Sequence, residues 1–381
     1  MRNNLVMTTS DETAPVREYL EAMLPWAHGH QIKGLTDYAL AILDRQTGNQ
    51  AELVRELGNQ EAALRRLSRL NYNDRLPPRK LADSVLAQAI SQLPDRGKVR
   101  LAMDWTIEGE QYLLTISLVI RGRAVPIYWR AYTEGALKGR MRIYELAMFK
   151  RVLTRVGRQI SLSRLRVTAD RGFADVELMA LLDSYGIFYV IRARATTKVF
   201  VHGEWCALQS LRFVTNARRR NVGHVRYCES KPRHAWVSLS RVKDENGKWA
   251  VWYLVSNRGS RAGQMAGEYA RRFGCEQGFR DVKWLLGFAQ ARIDDIHAWS
   301  RFFTLFVIAL LLLVSLGTAL LALGKHAIIQ LLRRVASRRR GRWEISLVHA
   351  VLLLLNTDAT LWQWLRHDTT LDLEAALPNV S

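Results

Sequence analysis

From Val16 to about Leu93 apolar residues recur every three to four positions, through "VREYLEAMLPWAHGHQIKGLTDYALAILDR" and "ELVRELGNQEAALRRLSRL". That period predicts helices, so residues 1–95 form a helical N-terminal domain. Gly58 and Asn59 separate a pair of short helices, a helix-turn-helix cue, and Arg65, Arg66 and Arg69 decorate the second. The paired prolines of "DRLPPRK" (Asp74–Lys80) predict a linker. From Lys98 the texture becomes β-rich. "KVRLAMDWTIEG", "EQYLLTISLVIRG" and "RAVPIYWRAYT" predict three antiparallel strands in a meander. A helical run, "ALKGRMRIYELAMFKRVLTRVG", leads to a fourth strand, "LSRLRVTAD". A short helix, "ADVELMALLDSYG", leads to a fifth, "IFYVIRAR". Helical crossovers return parallel strands with right-handed sense, so the economical mixed sheet has strand order 3-2-1-4-5.

Residues 196–252 carry further β-propensity runs, an Asn246-Gly247 hairpin signal and the basic run Arg218, Arg219, Arg220, and predict a β-rich insertion. The α/β core is therefore assigned to 96–195 and 253–324, and a helical C-terminal region to 325–381. A basic stripe, Arg333, Arg334, Arg338, Arg339, Arg340 and Arg342, lies in that last region. It offers phosphate or dimer contacts. Residues 302–324 hold no charge and are long enough to cross a bilayer. Arg301 and Lys325 flank both ends and give no orienting asymmetry, and a buried core helix is the better reading.

Composition changes the picture through charge. Lys and Arg number 56 against 35 Asp and Glu, a net of +21. That excess points to a polyanionic partner, nucleic acid before membrane. Three scattered cysteines argue against a disulfide scaffold and fit a reducing compartment. The start, "MRNNLVMTTSDE", is too polar for a signal peptide.

The candidate chemistry is carboxylate-based. Asp104 lies late in the first strand and Asp170 ends the fourth. If those strands are neighbours, two carboxylates meet, and their repulsion calls for a cation with a taste for hard oxygen, Mg2+ or Mn2+. A third acid from a helix would complete a two-metal site. In "YARRFGCEQGFRDVK" (Tyr269–Lys283), helical spacing sets Tyr269, Arg272, Glu276, Arg280 and Lys283 on one strip under a quarter-turn wide. The same strip also fits a solvated face with i,i+4 ion pairs.

Tyr269, Arg272, Glu276 and Lys283 match the Y-x2-R-x3-E-x6-K signature, and "DWT" and "DRGFAD" resemble the first and second acid motifs. On these residues the chain resembles the DDE transposases of bacterial insertion sequences, in the insertion-sequence-four family. The resemblance spans about residues 98–286. Phe273 stands where the family often has tryptophan, and Gly274 and Gly278 weaken the helix unless packing holds it.

The resemblance implies an RNase H-like core interrupted by the insertion. Asp104, Asp170 and Glu276 would be the catalytic, metal-binding triad for two Mg2+ or Mn2+ ions, with Tyr269, Arg272, Lys283 and Arg280 on DNA phosphates. Trp252 would stack beside a flipped base, with Trp249 in reserve. It implies cut-and-paste transposition through hydrolysis, hairpin formation and opening, and strand transfer. Double-stranded DNA (terminal inverted repeats and target) would be the partner of a synaptic homodimer in the bacterial cytoplasm, with residues 1–95 holding the ends. A nuclease on the same core that never joins, or an inactive DNA-binding derivative, are the alternatives.

Overall fold

The computed structural model describes residues 13–323, 338–339, 342–343, 347–366 and 369–371, apart from 56, 121–122, 215 and 244–246. Asn246 of the hairpin signal and Arg333, Arg334 and Arg340 of the basic stripe lie outside the described residues, as does the polar start.

Five helices open the chain: α1 (Ala14–Met23), α2 (Gly29–Arg45), α3 (Gln50–Leu53), α4 (Gln60–Asn71) and α5 (Pro78–Ser91). The asparagines Asn49 and Asn59 cap α3 and α4 by accepting backbone N–H bonds at the helix starts. The paired prolines expected as linker begin α5 instead. Pro77 is its N-cap and Pro78 its first residue, a position whose N–H has no helical partner to lose.

The meander follows as β1 (Val99–Glu108), β2 (Gln111–Ile120) and β3 (Arg123–Thr133). Then come α6 (Glu134–Leu137), α7 (Met141–Val156), β4 (Leu165–Ala169), α8 (Val176–Ser184) and β5 (Phe188–Arg192). Strands β1, β4 and β5 run parallel, while β1–β2 and β2–β3 are antiparallel, so the order 3-2-1-4-5 is realised. This is the order expected of an RNase H-like core.

The β-rich run from 196 onward joins that sheet. β6 (Lys198–Val201), β7 (Glu204–Ala207), β8 (Arg219–Tyr227), β9 (Arg233–Lys243) and β10 (Trp249–Ser256) extend it to ten strands, with β10 antiparallel to β5. β10 crosses the expected boundary at 252–253, since β5 is an open edge whose N–H and C=O groups need partners.

Beyond the sheet, α9 (Ala262–Ala270) and α10 (Gly274–Arg280) are joined by a 3₁₀ turn, Arg271–Phe273, and followed by a π turn, Asp281–Leu285. The single regular helix expected over Tyr269–Lys283 is thus right-handed throughout but changes its hydrogen-bond spacing three times, from α to 3₁₀, back to α, and then to π.

The apolar run is α11 (Ile296–Leu323), packed among α2, α4, α5, β3 and α12 (Leu347–Leu355). Its length and composition would suit a membrane span, but 89% of its apolar window is buried inside the protein. Its polar groups are met within the core. Ser315 Oγ lies 3.2 Å from the Tyr19 hydroxyl and accepts from Gln92 Nε2 at 3.2 Å. Buried Arg301 donates to the carbonyls of Leu76 and Asn71 and to Asp74. A core helix is what this sequence makes here.

Candidate active site

Register brings the first two acids together. In the parallel pair β1–β4 the last ladder partners are Met103 and Ala169. One residue further on, Asp104, midway along β1, and Asp170, just past the carboxyl end of β4, stand side by side. The β4–β5 ladder ends on Ala169 and Ile191, so Arg192 stands at the same level on the next strand. Its guanidinium comes within 4.0 Å of Asp170. Sequence reasoning missed Arg192; its place one residue beyond the fifth strand's last apolar position was the available signal.

The third acid arrives on α10. Gly274 and Gly278 let that helix lie directly on β3. A Cβ on Gly278 would stand 1.9 Å from the Ala124 carbonyl oxygen, and one on Gly274 about 3.1 Å from the Arg123 backbone. The residues that weaken the isolated helix are the ones that let it dock.

Arg272 ties the set together. It is 6% exposed. One nitrogen, Nη1, lies 3.3 Å from Asp104 Oδ2, and the other, Nη2, lies 3.3 Å from Glu276 Oε1. Tyr269, fully buried, donates its hydroxyl proton to Asp170 Oδ1 at 2.9 Å. Two signature residues on successive helical turns therefore hold all three acids. Lys283 pairs instead with Glu108 at the end of β1, and Arg280 is exposed at the end of α10.

Trp252 is 9% exposed, within a cluster with Val190, Leu254, Met265, Ala266 and Tyr269. Its ring stacks on Phe273 (centroids 5.5 Å apart) and meets Tyr269 edge-on at 5.0 Å. Trp249 is 54% exposed, with Arg218 and Lys243 against its ring.

The electrostatics follow from this geometry. Burial pushes the Asp104 carboxyl up; Arg272 opposes the rise, while Asp170 and Glu276 add to it. Burial also works against ionised Asp170, but the Arg171 N–H, the charge of Arg272, the Tyr269 hydroxyl and Arg192 outweigh it and hold that carboxyl below its usual range. Burial pushes the Tyr269 phenol up to about 12, so it remains a proton donor to Asp170 at neutral pH.

Three mutually repelling carboxylates are a hard-oxygen donor set, the kind Mg2+ and Mn2+ take. Among the described residues, no three His, Cys, Asp or Glu side chains converge as a formed metal cluster. The Arg272 guanidinium stands between Asp104 and Glu276 as their counter-charge, and its Nε has no hydrogen-bond partner. The donor chemistry fits a divalent cation, with the acids gathered round an arginine.

No curated protein matches the chain. Residues 139–312, a little under half of it, match the family model of the transposase DDE domain. The span contains Asp170, Tyr269, Arg272, Glu276 and Lys283; Asp104 precedes it. The sheet order and this similarity agree on an RNase H-like fold, and together they support a DDE transposase.

Proposed function

We propose that the chain is a transposase of the insertion-sequence-four type, cutting and joining double-stranded DNA by divalent-metal-dependent phosphodiester chemistry at Asp104, Asp170 and Glu276. The observation that carries this reading is the side-by-side pair Asp104 and Asp170, with Arg272 bridging Asp104 to Glu276.

In this reading the three acids hold the ions, Mg2+ or Mn2+. When bound, these would supply Lewis-acid polarisation of the attacking and leaving oxygens. Arg272 exchanges its carboxylate partners for phosphate oxygens and fixes the strand beside the acids. Lys283, freed from Glu108, adds a second cation to the backbone, and Arg280 a third, while Tyr269 keeps Asp170 oriented. Each step is an in-line displacement at phosphorus: an incoming oxygen forms a P–O bond as the opposite one breaks. Water acts first, freeing a 3′-OH. That hydroxyl attacks the other strand to close a hairpin, water reopens it, and the 3′-OH then joins target DNA.

Base stacking by Trp252 belongs to this reading and requires Phe273 to leave its ring; Trp249 is the exposed reserve. Residues 1–95, with Arg65, Arg66 and Arg69 on α4, are assigned to transposon-end binding, and two copies to the synaptic complex.

The test uses duplexes from the element's own flanking inverted repeats, incubated in Mg2+. Glu276→Gln should abolish strand cleavage and joining while leaving end binding within about threefold of wild type, since the phosphate-facing cations are untouched. Cleavage by Glu276→Gln at the wild-type rate overturns the assignment. Cutting by the wild type without joining of pre-cut ends reduces it to a nuclease.

A further inference from the structure

Asp104 and Asp170 sit one residue past the last β1–β4 ladder pair. Pairing between these two strands therefore stops just short of both acids, although Asp104 stays paired with Thr115 on β2. β4 ends there and the chain turns through a 3₁₀ helix, Arg171–Phe173, towards α8. Something else has to fix the distance between the two carboxylates.

Successive side chains on a strand face opposite ways. Asp104 faces α10 and Arg272, so Trp105 faces the other side, where α7 lies. There its indole Nε1–H donates to Glu145 Oε1 at 2.8 Å. The second oxygen of Glu145 accepts from Arg142 Nη1 at 2.6 Å. Arg142 then reaches the turn behind Asp170: its Nε lies 3.2 Å from Asp175 Oδ2, and its Nη2 donates to the Gly172 carbonyl at 3.4 Å. Asp175 also accepts the Glu177 N–H at 2.7 Å and so caps α8.

We propose that Glu145 and Arg142 are positioning residues for the catalytic aspartates: from the far side of the sheet they tie the residue after Asp104 to the turn after Asp170, and so set the spacing of the two acids. The proposal rests on the reading of those acids as the metal-binding pair. Glu145 is only 3% exposed. A buried carboxylate of this kind is costly, and apolar replacements of buried ion pairs are often neutral or stabilising, so stability alone is a weak reason for it. The same helix has an ion-paired arginine that serves as a contrast. Arg151 binds Asp83 on α5 and touches neither acid-bearing segment. What distinguishes Glu145 is that its two oxygens connect the two segments. Partners that orient metal-binding carboxylates typically change metal affinity about 10–100-fold when lost.

The test is Mn2+ binding to the purified full chain without DNA, followed by the EPR signal of free Mn2+, with thermal unfolding measured alongside. Glu145→Gln, Trp105→Phe and Arg142→Met remove different links of the chain, so one poorly folding variant leaves the others informative. Each should raise the half-saturating Mn2+ concentration by about tenfold or more. Arg151→Ala should lower the Tm at least as much yet stay within about twofold of wild-type Mn2+ affinity. Glu145→Gln, Trp105→Phe and Arg142→Met all binding Mn2+ like wild type, while Asp104→Asn does not, would overturn the brace and leave the site standing. If wild type fails to bind Mn2+, or Asp104→Asn binds it equally well, the carboxylate site itself is refuted and the brace with it.

Discussion

Arg272 and Asp281 show how far a single buried charge is set by its neighbours. Burial alone would favour neutral Arg272; the surrounding Tyr269, Asp104 and Asp170 raise its pKa instead, so it stays a cation among acids. Asp281, five residues past Glu276, has weaker help. Burial lifts its carboxyl to about 6 against the pull of Arg123, whose Nη1 lies 3.1 Å away. The sign of the pH effect follows. A carboxyl raised in the folded state binds its proton more tightly there than in the unfolded chain. Its contribution is therefore full below pH 4 and is lost as pH climbs through about 6. The stability difference between wild type and Asp281→Asn should shift against wild type by on the order of 2–3 kcal/mol between pH 4 and pH 7. Paired thermal melts at the two pH values read it directly, and a difference that does not move with pH contradicts the assignment.

Among the elements, α10 is where intrinsic propensity and packing disagree most. Alanine in place of a helical glycine gains nearly 1 kcal/mol in isolation. At Gly278 the added methyl would overlap the Ala124 carbonyl, whereas at Gly267 on α9 nothing lies within 4 Å. Gly278→Ala should destabilise by about 3 kcal/mol or more and displace Glu276, while Gly267→Ala should be neutral or stabilising by up to about 1 kcal/mol. Equal Tm values for the two variants would mean that α10 does not dock on β3 this way.

The same element marks the limit of what sequence displays. The order 3-2-1-4-5 was legible because a meander followed by right-handed crossovers leaves one economical arrangement. Tyr269, Arg272 and Glu276 were legible because three- and four-residue spacings share a helix face. Arg192, the Glu145–Arg142 link and the use of the two glycines were not, because each depends on which strand or helix lies opposite, and local period carries no such information. Lys283 shared the predicted strip, yet the π turn after α10 carries it to Glu108. The β-rich run read as an insertion because its strands are local; its pairing with the β5 edge is not.

At the scale of the molecule, three acids come from three remote stretches: a meander strand, a crossover strand and a helix that follows the long β8–β10 excursion. α11 threads the core and packs against α2, α4, α5, β3 and α12 at once. The chain carries a net charge of +21, which suits a protein that gathers DNA, while the acids form a centre that gathers cations. The central claim is that Asp104, Asp170 and Glu276 form one divalent-metal site. Anomalous diffraction from crystals of the full chain grown with Mn2+ and a short DNA duplex tests it most directly. Mn2+ peaks touching all three carboxylates, with Arg272 turned onto a phosphate, are the predicted result. Arg272 still bridging Asp104 and Glu276, with Mn2+ elsewhere or absent, would contradict it.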